Sequence, residues 1–212
     1  MVDPQTTASD RPPAVRRLGT AALLLAALAV GGLISAYKPG PEIQHRPFIS
    51  DGKQGERVHT RAFDVELLGV RGGEAIGSGG VLHESKGVWV IAKVRLTATG
   101  EAVAPAYAAL RDGDNRIFRA TGRITQPLGT RELQPGIPVE FEFIFEVPAD
   151  VPLSLVLRLA VHESESSNRM DGMAQIELPI GSDELAKWKA DKEPLKIMKP
   201  VVAGASPESS AS

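Results

Sequence analysis

The chain contains no cysteine. That excludes a disulfide scaffold, a thiolate metal site, a cysteine nucleophile and the acylated cysteine of a lipoprotein. Aromatic residues make up only 5% of it, so a core has to be built chiefly from Val, Leu and Ile. Neither charge sign dominates: 24 Lys and Arg stand against 26 Asp and Glu, for a net charge of −2. A basic footprint for nucleic acid is therefore missing. No Gly-x-Ser-x-Gly occurs, and no Gly-Lys-Ser/Thr follows a Gly-rich loop, which removes the serine nucleophile elbow and the P-loop.

What the chain does have is an alternating row at residues 136–148. Val139, Phe141, Phe143, Phe145 and Val147 point one way; Glu140, Glu142, Ile144 and Glu146 point the other. That is the period-two pattern of a strand with one buried face. Three of the six Phe stand in this row, so a core is expected here and the Glu row is expected to face solvent. Ile144 departs from that row, and a cross-strand contact with another outward apolar residue accounts for it.

Similar alternation recurs along residues 58–181. Phe63, Val65 and Leu67 form one row, and Val88, Val90, Ala92, Val94 and Leu96 a second, with Trp89 and Ile91 on its far face. Leu153, Leu155, Leu157, Leu159 and Val161 form another, and Ala174, Ile176 and Leu178 the last. Asp112-Gly113-Asp114-Asn115 reads as a hairpin turn between two short strands. The Gly-rich stretch 71–80 reads as a flexible turn. Lys93 and Arg95 are expected to form a charge ladder with Glu140 and Glu142 if their strands are neighbours. Short strands separated by turns, with no helix until the end, predict an all-β fold, a β-sandwich of about seven strands. Pro148 and Pro152 disfavour a tight hairpin between the Phe row and the Leu row, so these are expected to face each other from opposite sheets.

The flanks read differently. Residues 1–17 are polar and Pro-containing and are expected to be a disordered, cytoplasmic N-terminus. Residues 18–37 are expected to be a transmembrane helix: 18–36 carry no charge and reach about 28 Å as a helix. Arg11, Arg16 and Arg17 precede it, which puts the N-terminus in the cytoplasm by the positive-inside rule. The alternative, a cleaved signal peptide, has only Ile34-Ser35-Ala36 as a poor processing site. Residues 38–57 are Pro- and Gly-containing and are expected to be a linker, with Phe48 and Ile49 as isolated apolar residues. Residues 182–193 predict a short helix, capped by Ser182, with Leu185 and Trp188 docking as a pair. Residues 194–212 are expected to be a disordered tail.

The order Gly87-Val-Trp-Val-Ile-Ala-Lys-Val-Arg-Leu-Thr, Leu110-Arg-Asp-Gly-Asp-Asn-Arg-Ile-Phe, Leu133-Gln-Pro-Gly and Phe145-Glu-Val-Pro resembles the DUF4352 family, telokin-like and immunoglobulin-like extracytoplasmic domains of bacteria. The resemblance covers residues 58–180. The Arg-preceded apolar segment and the Ser/Pro tail resemble those of actinobacterial membrane proteins. It implies an immunoglobulin-like sandwich outside the cell membrane that binds rather than catalyses.

No residue is assigned a catalytic, cofactor-binding or metal-binding role. The four histidines are His45, His59, His83 and His162. His83-Glu84-Ser85 and His162-Glu163-Ser164 repeat a triplet, but a metal site would need both loops at one end of the sandwich. Asp112 and Asp114 lack the ligands of an EF-hand loop after them. The expectation is a membrane-anchored, extracytoplasmic, non-catalytic accessory or scaffold subunit of a cell-envelope complex with a protein partner and no nucleic acid. The alternative is a surface protein that binds a small molecule or glycan.

Overall fold

The computed structural model describes residues 13–36, 47–124, 132–150, 154–162 and 171–204. Most of the expected N-terminal tail and linker, with His45, lies outside these residues, as do 125–131, the loop 163–170 and the tail 205–212. The chain divides into two compact units, Met1–Gln44 and His45–Ser212.

The first unit holds helix α1, Pro13–Ala36. Proline suits a first helical position, since its missing N–H has no intrahelical partner there. The transmembrane helix expected at 18–37 is corrected here: no helix among the described residues is long and apolar enough to cross a membrane. Side chains are described continuously over residues 19–33, and these all stand exposed. Ala, Gly and Thr fill most of that stretch, where a spanning helix carries larger aliphatics.

The second unit is a β-sandwich. Its strands are β1 (Phe48–Gly52), β2 (Arg57–His59), β3 (Phe63–Ser78), β4 (Val81–Ala98), β5 (Tyr107–Arg111), β6 (Ile117–Arg119), β7 (Val139–Val147), β8 (Val156–Ala160), β9 (Gly172–Glu177), β10 (Leu195–Lys196) and β11 (Val201–Val202). Helix α2, Ser182–Ala190, lies between β9 and β10. One sheet has the order β1-β9-β8-β5-β6; the other runs β10-β3-β4-β7-β11, with β2 added to β3. With β1, β2, β10 and β11 set aside as additions at the sheet edges, seven strands remain, arranged β3-β4-β7 and β9-β8-β5-β6. Their first, second and fifth members share one sheet and their third, fourth, sixth and seventh the other, so the fourth, β6, stands in the sheet opposite to its place in a constant-type immunoglobulin sandwich.

The core lies between the inner faces and follows the alternation. Phe141, Phe143, Phe145 and Val147 of β7 meet Leu157 and Leu159 of β8, with the Val88–Leu96 row of β4 alongside. The Phe141 and Phe143 rings meet edge to face, 4.8 Å apart. Each such side chain gains about 1.5–3 kcal/mol gross on burial. β7 and β8 belong to different sheets, so the Phe and Leu rows do face each other.

Several boundaries differ from expectation. The Gly-rich stretch 71–80 is not a loose turn. β3 continues to Ser78, and the reversal is confined to Gly79 and Gly80, at φ 58° and 78°. Two consecutive positive φ values suit a hairpin turn and need glycine. Gly72 and Gly73 serve close approach instead: a Cβ on Gly72 would lie 2.4 Å from the Trp188 ring, and one on Gly73 3.1 Å from Leu195. Phe48 and Ile49 belong to β1, which pairs in parallel with β9, and not to a linker. The segment expected as a disordered tail contributes β10, parallel to β3, and β11, antiparallel to β7. Helix α2 is capped by Gly181 rather than Ser182, and Glu184 accepts from the Gly181 N–H at 3.2 Å. Leu185 and Trp188 do dock, against the main core.

Candidate functional site

Among the described residues two histidines each stand beside one carboxylate. His59 Nδ1 lies 2.8 Å from Asp64, and His162 Nε2 3.4 Å from Asp171. His83 sits in β4, whereas His162 follows β8 in the other sheet. Glu163 and Ser164 lie outside the described residues. Among the described residues no group of three or more His, Asp or Glu is placed to hold a metal. Asp112 is committed to its turn. Its Oδ1 accepts from the N–H groups of Asp114 and Arg116 at 2.9 and 2.8 Å, and its Oδ2 from Arg116 Nε at 2.6 Å. Burial alone would push this carboxyl up, but Arg116 and those bonds outweigh it and hold it below the usual range. Asn115 supplies the positive φ of 63°.

The outer face of the six-stranded sheet carries the charge row. Register pairs Arg95 with Glu140 and Lys93 with Glu142, as the expected ladder requires. Arg95 reaches Glu140 at 2.6 Å and Glu66 at 2.9 Å, and Lys93 reaches Glu140 at 3.0 Å. Arg95 and Lys93 hold the Glu140 carboxyl below its ordinary value, against the opposing effect of burial. Glu142 corrects the expectation of a solvated Glu row: its side chain is 1% exposed. It accepts two hydrogen bonds from Arg71 Nη2, at 3.0 and 2.9 Å, and one from the Met198 N–H at 2.9 Å.

That last contact comes from the C-terminal segment. Residues 195–203 leave β3 through β10, cross the outer face of β4, and join β7 through β11. Leu195 and Ile197 point inward onto a second apolar cluster of Ile76, Trp89, Ile91, Ile124 and Ile144. Ile144 is thus the cross-strand partner of Ile91 and is fully covered. This cluster was invisible in the alternation except for Trp89, Ile91 and Ile144, the apolar residues on an otherwise charged face.

The third feature is an arm. β7 pairs with β4 only from Val88 to Leu96, so the β3–β4 hairpin runs on beyond it. At its tip Val81 and Leu82 are 56% and 52% exposed. Its root is fixed by Trp89 Nε1, which donates to His83 O at 3.0 Å. Arg123 adds a clamp, with Glu146 at 2.7 Å and the Trp89 ring centre at 5.4 Å. Beside the root an open cleft of about 470 Å³ is lined by Lys86, Gly87, Phe118, Glu146, Val147, Pro148 and Ala149. Glu146 is already engaged by Arg123 and by Ser85 Oγ at 2.9 Å.

No family model matches the chain, and no curated protein does. A crystal structure of an uncharacterized β-sandwich protein from Clostridium difficile 630 aligns with a TM-score of 0.43 at 8% identity. It covers 66% of this chain and 99% of that one. Of the resemblance drawn from the motifs, the β-sandwich is present; membership of DUF4352 is matched by no family model.

Proposed function

We propose that this chain is a non-catalytic binding module, an accessory or scaffold subunit of a cell-envelope complex, that meets its protein partner through the β3–β4 arm. The observation that carries this reading is the pair Val81 and Leu82, two large aliphatic side chains more than half exposed at the tip of a hairpin with a fixed root. Aliphatic anchors on a rigid element are what a protein interface uses at its centre. The sequence resemblance favours an extracytoplasmic setting. The test is site-directed photocrosslinking in cells with the crosslinker at position 82 and, as control, at position 101 in the Thr99–Val103 connection. A defined adduct from position 82, lost on Val81→Glu, is the expected result. No adduct specific to position 82 would sink the reading.

The cleft supports a second reading, a small molecule or glycan held at the sandwich end. Clefts of this volume are in the range of ligand sites, but Lys86 is its one lining charge not in an ion pair with another described residue. A ligand that raises the melting temperature of the wild type but not of Phe118→Ala would support it.

A further inference from the structure

The C-terminal strap lies on the sheet as a bound peptide would. It is extended, and its burial alternates: Leu195 and Ile197 are partly buried, Lys196 and Met198 exposed. Its main chain is read from below at two points, where Arg71 Nη2 donates to Lys196 O and Glu142 accepts from Met198 N–H. It is fastened at each end by only two residues of strand pairing, plus the Ala203 N–H to Pro138 O bond at 2.8 Å. Exposed main-chain bonds and few buried side chains put a segment among those that open locally, before the whole domain. Beneath it lie a buried carboxylate and an apolar strip of Ile76, Trp89, Ile91 and Ile144, with strand edges at either side.

We propose that the outer face of the six-stranded sheet is a groove for an extended peptide, that the chain's own strap occupies it in cis, and that a partner's segment of the same pattern displaces it. The occupant's chemistry is read from the strap. It is a neutral-to-basic extended segment with aliphatic side chains two residues apart, a carbonyl between them for Arg71 and, on the residue after the second, an N–H for Glu142. Recognition is then by main-chain pairing, with specificity set by alternate side chains, the logic of strand addition. This inference rests on the reading of the chain as a binding module and names the partner segment it takes. It fails separately from that reading, because the measurements below concern the strap and not position 82.

The chain's lack of cysteine makes the strap easy to lock. The Ala203–Pro138 bond makes those two residues a hydrogen-bonded pair, so the adjacent Val202–Val139 pair is the non-hydrogen-bonded one. Such pairs lie near 4.5 Å between Cα atoms, inside the usual disulfide range. The probe is a fluorescent synthetic peptide with the sequence of residues 194–204, added to the full chain carrying Val139→Cys and Val202→Cys. Anisotropy is expected to show binding to the reduced chain, at least tenfold weaker binding to the oxidised chain, and recovery on re-reduction. In the wild type, the Met198 and Ala203 amides are expected to exchange hydrogen by local opening, faster than those of β4 and β7. Equal binding to both redox forms, no binding to either, or exchange of these amides only by global unfolding overturns the proposal.

Discussion

Glu142 is 1% exposed while its partner Arg71 is 38% exposed. The two are therefore not equivalent to remove. Taking away Arg71 leaves a buried carboxylate with no counter-ion, which costs about 3 kcal/mol, the low end for a broken buried pair. Glu142→Gln removes the charge and keeps an acceptor for Met198 N–H, at a cost of about 1 kcal/mol. Urea midpoints should rank Arg71→Ala below Glu142→Gln, and the reverse order would contradict the pairing. Glu140 gives a pH signature. Its folded pKa lies below the ordinary 4.5, so its ionised form adds stability above that value and loses it as pH falls through the lower folded one. Wild type should lose stability below pH 4.5, and Glu140→Gln should show a flatter curve there by denaturant titration. At Gly87 an added Cβ would lie 2.0 Å from the Val147 carbonyl oxygen, a backbone clash that cannot relax by a rotamer. Gly87→Ala should cost about 2–3 kcal/mol. The alternation revealed Ile144's cross-strand contact and the Arg95–Glu140 pair, because both are register effects. It misread Glu142, because period two assigns a face but not what covers it, and the cover comes from Met198, 56 residues on.

Among the elements, α2 shows how two distant signals combine. Trp188 rests where Gly72 has no side chain, so helix and strand depend on one another. Trp188→Ala should lower stability by about 2 kcal/mol, below the full cost for a wholly buried aromatic because the ring is only partly covered. It should also speed tryptic cleavage at Lys187 and Lys189, checked by limited proteolysis. A Gly-rich run reads as a turn when only local chemistry is weighed. Here only Gly79 and Gly80 take the positive φ of the reversal, and Gly72 and Gly73 are spaces for residues more than a hundred positions later. The turn at Asp112–Asn115 was legible because its chemistry is local.

For the whole molecule, the sandwich followed from five long rows and their turns. The added strands did not, since two residues of β10 or β11 carry no period. The apolar content of 18–37 suggested a span that the described helix does not supply. The closing pairs are remote: Phe48 with Gly172, and Leu195 with Ile76. Such pairing must close long loops before it gains contacts, so refolding is expected in milliseconds to seconds. Stopped-flow fluorescence should give one rate for Trp89 and Trp188, read in single-tryptophan variants; two separate rates would show that the strap cluster and the helix dock independently.

Open strand edges invite association between copies. The sheet with the most apolar strands has β2 and β10 along one side and β11 along the other. The five-stranded sheet ends instead in β1 and β6, and β1 presents Phe48 and Ile49 largely uncovered. When concentrated solutions of this protein aggregate through ordered strand stacking, growth should start at β1, and Ile49→Lys should delay it.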